Sequence, residues 1–91
     1  MTLTELRYIV AVARERHFGR AAEACHVSQP TLSVAIKKLE EEVGAQIFER
    51  TSAEVAMTAL GTLIVEQAQR VLEESNALRH LAKHGQDPLS G

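Results

Sequence analysis

Residues 20–43, RAAEACHVSQPTLSVAIKKLEEEV, constrain the fold most, because they ask one helix to satisfy two environments. Leu32, Ile36, Leu39 and Val43 follow one another at steps of 4, 3 and 4, which stacks them into one apolar helical stripe. Gln29, Ser33 and Lys37 follow at steps of 4 on another face, with Pro30 and Val34 beside them. The first stripe requires a core. The second sets an amide, a hydroxyl and an ammonium in one line pointing outward. Ser28 stands where its hydroxyl accepts an orphan N–H of the first turn. Pro30 lies inside that turn, where its missing donor costs little. Upstream, Phe18, Ala22 and Cys25 share one face of a shorter helix, and the small Ala21 and Ala22 let it approach the longer one closely. His26-Val27-Ser28 is the turn between them. An exposed helix N-terminus carrying small polar groups suits contact with phosphates and base edges in a major groove.

The flanking segments supply a core and a periphery. Thr2 and Glu5 have the spacing of a capping box, and the helix they start carries Leu6, Ile9, Val10 and Ala13 on one face. It is expected to end near Arg16-His17. Gly44 is suited to ending the helix that carries the two stripes. Ile47-Phe48-Glu49-Arg50 and Val55-Ala56-Met57 are short runs separated by Thr51-Ser52-Ala53-Glu54, the pattern of a small hairpin, or wing. Thr58 then caps a long helix. Along it Ile64, Ala68, Val71, Ser75, Leu78 and Ala82 repeat at steps of 4, 3, 4, 3 and 4, flanked by Leu72 and Leu81. A heptad seam of that length asks for a partner helix. The expected fold is mainly α: a winged helix-turn-helix of three core helices and a two-stranded wing (residues 1–58), then a linker and dimerisation helix (59–84). Residues 85–91, which mix Gly, Asp, Pro and Ser without periodicity, read as a hinge.

Residues 17–44 (HFGRAAEACHVSQPTLSVAIKKLEEEVG), Phe48-Glu49-Arg50 and Thr58-Ala59-Leu60-Gly61 resemble the amino-terminal DNA-binding domain of the LysR-type bacterial transcriptional regulators. The string from Cys25 to Ser33 is similar to the peroxide-sensing branch of that family. The resemblance runs from Leu6 to the last helix. It implies sequence-specific binding of double-stranded DNA with two half-sites, a homodimer through the final helix, a tetramer in the full-length protein, and a hinge leading to an effector-binding domain outside this chain. It also implies an oxidative-stress response whose switching cysteines lie in that other domain. Base reading is expected of Gln29, Pro30, Thr31, Ser33 and Val34: Gln can bond adenine bidentately, and Pro, Thr or Val can press on a thymine methyl. Phosphate contact is expected of Arg20, Ser28, Lys37 and Lys38, and of Arg50 at the wing base, as in its family counterpart. Family members commonly carry Arg or Lys at the positions of Ala53 and Glu54. Here a methyl and a carboxylate stand there, so minor-groove reading by the wing tip is not expected.

Charge is distributed against its sum. The net charge is −2, unusual for a DNA binder. Residues 1–38, which hold the reading unit, carry six basic and three acidic side chains, whereas residues 39–91 carry four and nine. Glu40-Glu41-Glu42 reads as a solvated acidic face. One cysteine excludes an internal disulfide and fits a reducing compartment, and its apolar face predicts a buried, inert thiol. His17 is expected to pack at a helix boundary. His17, His26, His80 and His84 have no ligand spacing with Cys25, so no metal or cofactor is expected. No apolar run reaches the ~20 residues of a membrane span, and Met1 to Glu5 lack a secretion signal, which points to the cytoplasm. No nucleophile–base pair or paired carboxylates suggest an enzyme. The competing reading is a winged-helix module for protein–protein interaction, favoured by the net charge and the acidic wing. Salt-dependent binding to duplex DNA separates the two.

Overall fold

The computed structural model describes residues 1–50 and 54–85. In chain order they form α1 (Leu3–Glu15), α2 (Phe18–Ala24), α3 (Gln29–Val43), β1 (Phe48–Arg50), β2 (Val55–Met57) and α4 (Ala59–Gly85). This is the expected winged helix-turn-helix followed by a long helix. Ala53 at the wing tip and residues 86–91 of the hinge lie outside the described residues.

Local chemistry sets the boundaries. The Thr2 hydroxyl accepts from the Glu5 amide at 3.1 Å, and the Glu5 carboxylate accepts from the Thr2 amide at 2.8 Å, closing the capping box. Arg16 ends α1 with a left-handed φ of 55°. His17 then does more than pack: its Nδ1 accepts from the Arg20 amide at 3.0 Å and caps α2. The turn into α3 needs a second left-handed residue, His26, at φ 58°. Ser28 caps α3 through the Thr31 amide at 3.2 Å, and Gly44 ends it at φ 72°.

α1 is the hub, packed against α2, α3 and α4. Ile9 and Val12 from α1, Leu32 and Leu39 from α3, and Ile47 before β1 are fully buried. Burying side chains of this size contributes roughly 1.5–3 kcal/mol each, and together they fix how α3 sits on the body.

A two-stranded hairpin alone is marginal in water. The antiparallel pairing of β1 with β2 places Phe48 opposite Met57 and Arg50 opposite Val55. Three neighbours then tie it down. The Val55 amide donates to the Arg16 carbonyl at 3.2 Å. The Thr58 amide donates to the Ile47 carbonyl at 2.9 Å, and its hydroxyl donates to the Gln46 carbonyl at 2.7 Å. One oxygen of the Glu40 carboxylate accepts from the Ile47 and Phe48 amides at 2.7 and 3.2 Å. Phe48 also meets Phe18 edge to face, centroids 6.4 Å apart. Glu40 is therefore not part of a solvated acidic face: its position one turn before the helix end brings its oxygen to the orphan amides entering β1.

The seam on α4 also differs from its reading. Gly61, Val65 and Ala68 are buried against the chain's own core, with Ile64 and Leu72 partly buried beside them. Ala68, at 3% exposure, is spent within the chain, because the body covers one side of the first half of α4. The exposed large apolar residues of α4 are Leu60, Leu63, Val71, Leu78 and Leu81. They form a stripe rotated from the buried one.

Cys25 is half-buried rather than buried. Cys25 is the C-cap of α2, its amide still bonded to the Ala21 carbonyl at 3.0 Å, and its side chain packs at the margin of the core. It lines a groove of about 600 Å³ with Arg7, Tyr8, Arg14 and Leu72. Burial raises its thiol pKa, opposed by the nearby Arg14 and Arg7 guanidinium groups.

Candidate nucleic-acid interface

The outer face of α3 follows from the burial of its inner one. With Leu32, Ile36 and Leu39 turned into the core, Pro30, Thr31, Val34, Lys37 and Lys38 are exposed on the far side. Val34 is 67% exposed. An exposed β-branched methyl pair on a polar face is suited to a thymine methyl. Gln29 is exposed at the first turn, close to α2: a Cβ on Gly19 would stand 3.6 Å from its amide oxygen.

Ser28 and Thr31 behave as one unit. The Ser28 hydroxyl accepts from the Thr31 amide and donates to the Thr31 hydroxyl at 2.8 Å. The Thr31 hydroxyl is the acceptor in that contact and remains exposed. Ser33 departs from the expected outward line. It is half-buried and lines a groove with Phe18, Ile36, Lys37, Glu40 and Phe48. Residues four apart drift by about 40° per step on a helix of 3.6 residues per turn, so the row from Gln29 through Ser33 to Lys37 is not parallel to the helix axis. Ser33 stands at the edge of the face, toward the wing.

The cations frame this surface. Arg20, at the start of α2, donates to the Glu15 carbonyl at 3.1 Å and lies 3.9 Å from the Glu15 carboxylate. Its side chain is 60% exposed, and a surface pair of this kind is worth little against a phosphate. Among the described residues no carboxylate pairs with Lys37 or Lys38. Arg50 closes β1, and the side chain of Arg50 lies outside what the structure describes. Glu54 is exposed at the far side of the wing.

Three contacts that position this surface are not evident from the sequence pattern: His17, which caps α2 next to Arg20; Glu40, which fastens the wing; and the Arg16 carbonyl, which receives β2. Only the His17–Arg20 spacing carries a local signal, that of a cap. The other two are long-range and left no local trace.

On the opposite side, Met1, Leu6, Leu39, Val43, Ile64 and Val71 border an apolar groove of about 230 Å³ beside the exposed leucines of α4. Among the described residues no cluster of three metal-ligating side chains occurs, and no helix is long and apolar enough to cross a membrane.

Known proteins share this arrangement. Residues 3–62 match the bacterial regulatory helix-turn-helix proteins of the lysR family. The chain is 50% identical, over all 91 of its residues, to the DNA-binding transcriptional dual regulator OxyR of Escherichia coli K12, covering 30% of that protein. Among solved structures, a full-length OxyR variant from Pseudomonas aeruginosa superposes with a TM-score of 0.91 at 62% identity, covering 96% of this chain and 30% of that one. The BenM DNA-binding domain bound to benA site 1 DNA superposes with a TM-score of 0.87 at 38% identity, covering 91% and 93% of the two chains. The chain thus spans about a third of the length of the curated relative it matches.

Proposed function

The chain belongs to the lysR family of bacterial regulatory helix-turn-helix proteins, and from that premise we propose that it reads operator DNA for an OxyR-like regulator of the response to hydrogen peroxide. Residues 1–58 form the reader, residues 59–84 the dimerisation helix, and residues 85–91 lead toward an effector domain. The observation that carries the DNA-binding reading is the exposed face at the start of α3, on a fold shared with a domain solved on DNA.

In this reading α3 enters a major groove N-terminus first. Gln29 bonds a base edge, Pro30, Thr31 and Val34 press on methyl groups, and Ser33 reaches from the edge of the face. Arg20, Ser28, Lys37, Lys38 and Arg50 hold phosphates and set the register without adding sequence information. A single helix covers few base pairs, so two copies address two half-sites. The exposed stripe Leu60, Leu63, Val71, Leu78 and Leu81, continuous with the apolar groove near Val43, joins the two copies. Ile64, Leu72 and Ser75, half-buried, flank that stripe, with Ala82 exposed toward its end. In a full-length protein, pairs of dimers complete a tetramer. The net charge of −2 is no obstacle, because the acidic groups concentrate after residue 38.

The test is selection of duplexes from a random-sequence pool, followed by titration of the winner at several salt concentrations. The expected result is a site with two related half-sites and an affinity that falls steeply with salt. Recovery of no preferred sequence, or binding insensitive to salt, overturns the proposal.

A further inference from the structure

We propose that Glu40 is a positioning residue for DNA binding: it locks the wing to the helix that reads bases, so that both meet the duplex in one fixed register. The inference rests on the DNA-binding function proposed above. Glu40 lies on α3, three turns after Gln29, at the margin between the core stripe and the outer face. Its carboxylate spans from α3 to the chain entering β1, where one oxygen receives both the Ile47 and Phe48 amides. Those amides belong to the last residue before β1 and to its first residue, so the carboxylate grips the wing where the strand begins. Gln46, next in the chain, turns its side-chain amide onto the Phe48 carbonyl at 3.0 Å. The result is a braced corner. The start of β1 is fixed to the same helix that carries Gln29, Val34 and Lys37.

The brace matters because the other ties of the wing run elsewhere. Val55 is tied to the end of α1, and Thr58 ties Ile47 and Gln46 to the start of α4. These hold the wing to the body. Glu40 holds it to the reading helix itself, two residues before Arg50 ends β1. A carboxylate near DNA opposes binding by its charge alone. Glu40 is instead half-buried and occupied by two N–H donors, so its geometry outweighs its charge.

Glu40→Asp and Glu40→Gln separate these effects. Aspartate keeps the charge and loses the reach of one methylene. Glutamine loses the charge and keeps a carbonyl oxygen at the same reach, able to accept both amides. Each variant is titrated by fluorescence anisotropy against the duplex selected by the wild-type chain, over a series of salt concentrations, at a temperature where circular dichroism shows it folded. Arg50→Ala is measured alone and combined with Glu40→Asp. The expected result is that Glu40→Asp weakens binding about three- to tenfold and makes the salt dependence shallower by about one unit, the mark of one lost phosphate contact. Glu40→Gln is expected to stay within about twofold of wild type on the same phosphate-contact scale. In the Arg50→Ala background Glu40→Asp should cost little more, since the wing it misplaces no longer holds a phosphate. Wild-type behaviour of Glu40→Asp, tighter binding by Glu40→Gln, or additive losses with Arg50→Ala each overturn the positioning role. Those outcomes leave the DNA-binding function intact. That function fails separately, if the wild-type chain shows no salt-dependent binding.

Discussion

A Cβ on Gly61 would stand 2.1 Å from the Ile47 carbonyl oxygen. α4 and the wing therefore meet backbone to backbone. The Ile47 carbonyl accepts from the Thr58 amide, and the Thr58 hydroxyl accepts from the Gly61 amide at 2.8 Å. Glycine is required here for space, not for a positive φ. Gly61→Ala is expected to destabilise the chain by about 1–3 kcal/mol, the usual cost of overpacking. Urea denaturation checks this, and an unchanged midpoint would mean the two backbones separate without loss.

His26 tests the turn. Its φ of 58° is left-handed, where a side chain costs about 1–2 kcal/mol. His26→Gly is expected to hold stability or raise it slightly. His26→Val, β-branched, should lower it by about 1–2 kcal/mol. Chemical denaturation of the pair gives the comparison, and a Val variant as stable as the Gly variant contradicts the turn geometry.

Cys25 tests the groove. Its thiol pKa is raised by burial, with Arg14 and Arg7 working against the rise. A raised pKa means the folded state holds the proton more tightly than the unfolded one. The associated stability is full below the ordinary thiol range, about 8.5, and declines as pH climbs through it. Cys25→Ser should remove that decline from a stability–pH series. Dithionitrobenzoate should react with Cys25 more slowly than with a free thiol at neutral pH; an equal rate would contradict the partial burial.

Leu78 and Leu81, 66% and 69% exposed, test the dimer. Neither is needed by the described core, so Leu78→Glu and Leu81→Glu should leave folding intact while shifting the chain toward monomer in sedimentation velocity. Val71→Asp should do the same from the middle of the stripe. A dimer unchanged in all three variants would place the partner surface elsewhere.

Much of the architecture was legible because it is written locally. Thr2 with Glu5, Ser28 with Thr31, and Gly44 each carry their helix boundary within a few residues. The alternation of Leu32, Ile36 and Leu39 with Gln29 and Lys37 announced which side of α3 faces outward. What was hidden depends on contacts between distant segments. A heptad pattern cannot say whether Ala68 faces its own body or another chain, because both surfaces are apolar. Glu40 looked like its neighbours Glu41 and Glu42 until the chain after Gly44 folded back onto it. Cys25 keeps its apolar face against the core, but a groove lined by Arg7 and Arg14 reaches it from the side, and that groove is formed by distant segments.

Gln29 carries the central claim, that the start of α3 reads bases. The direct measurement is an anisotropy titration of wild type and Gln29→Ala on the selected duplex and on a scrambled duplex of equal length, at matched salt. The expected result is a loss of about 1–3 kcal/mol on the selected duplex and little change on the scrambled one, the signature of a lost base contact. Equal losses on both duplexes, or none on either, would contradict it.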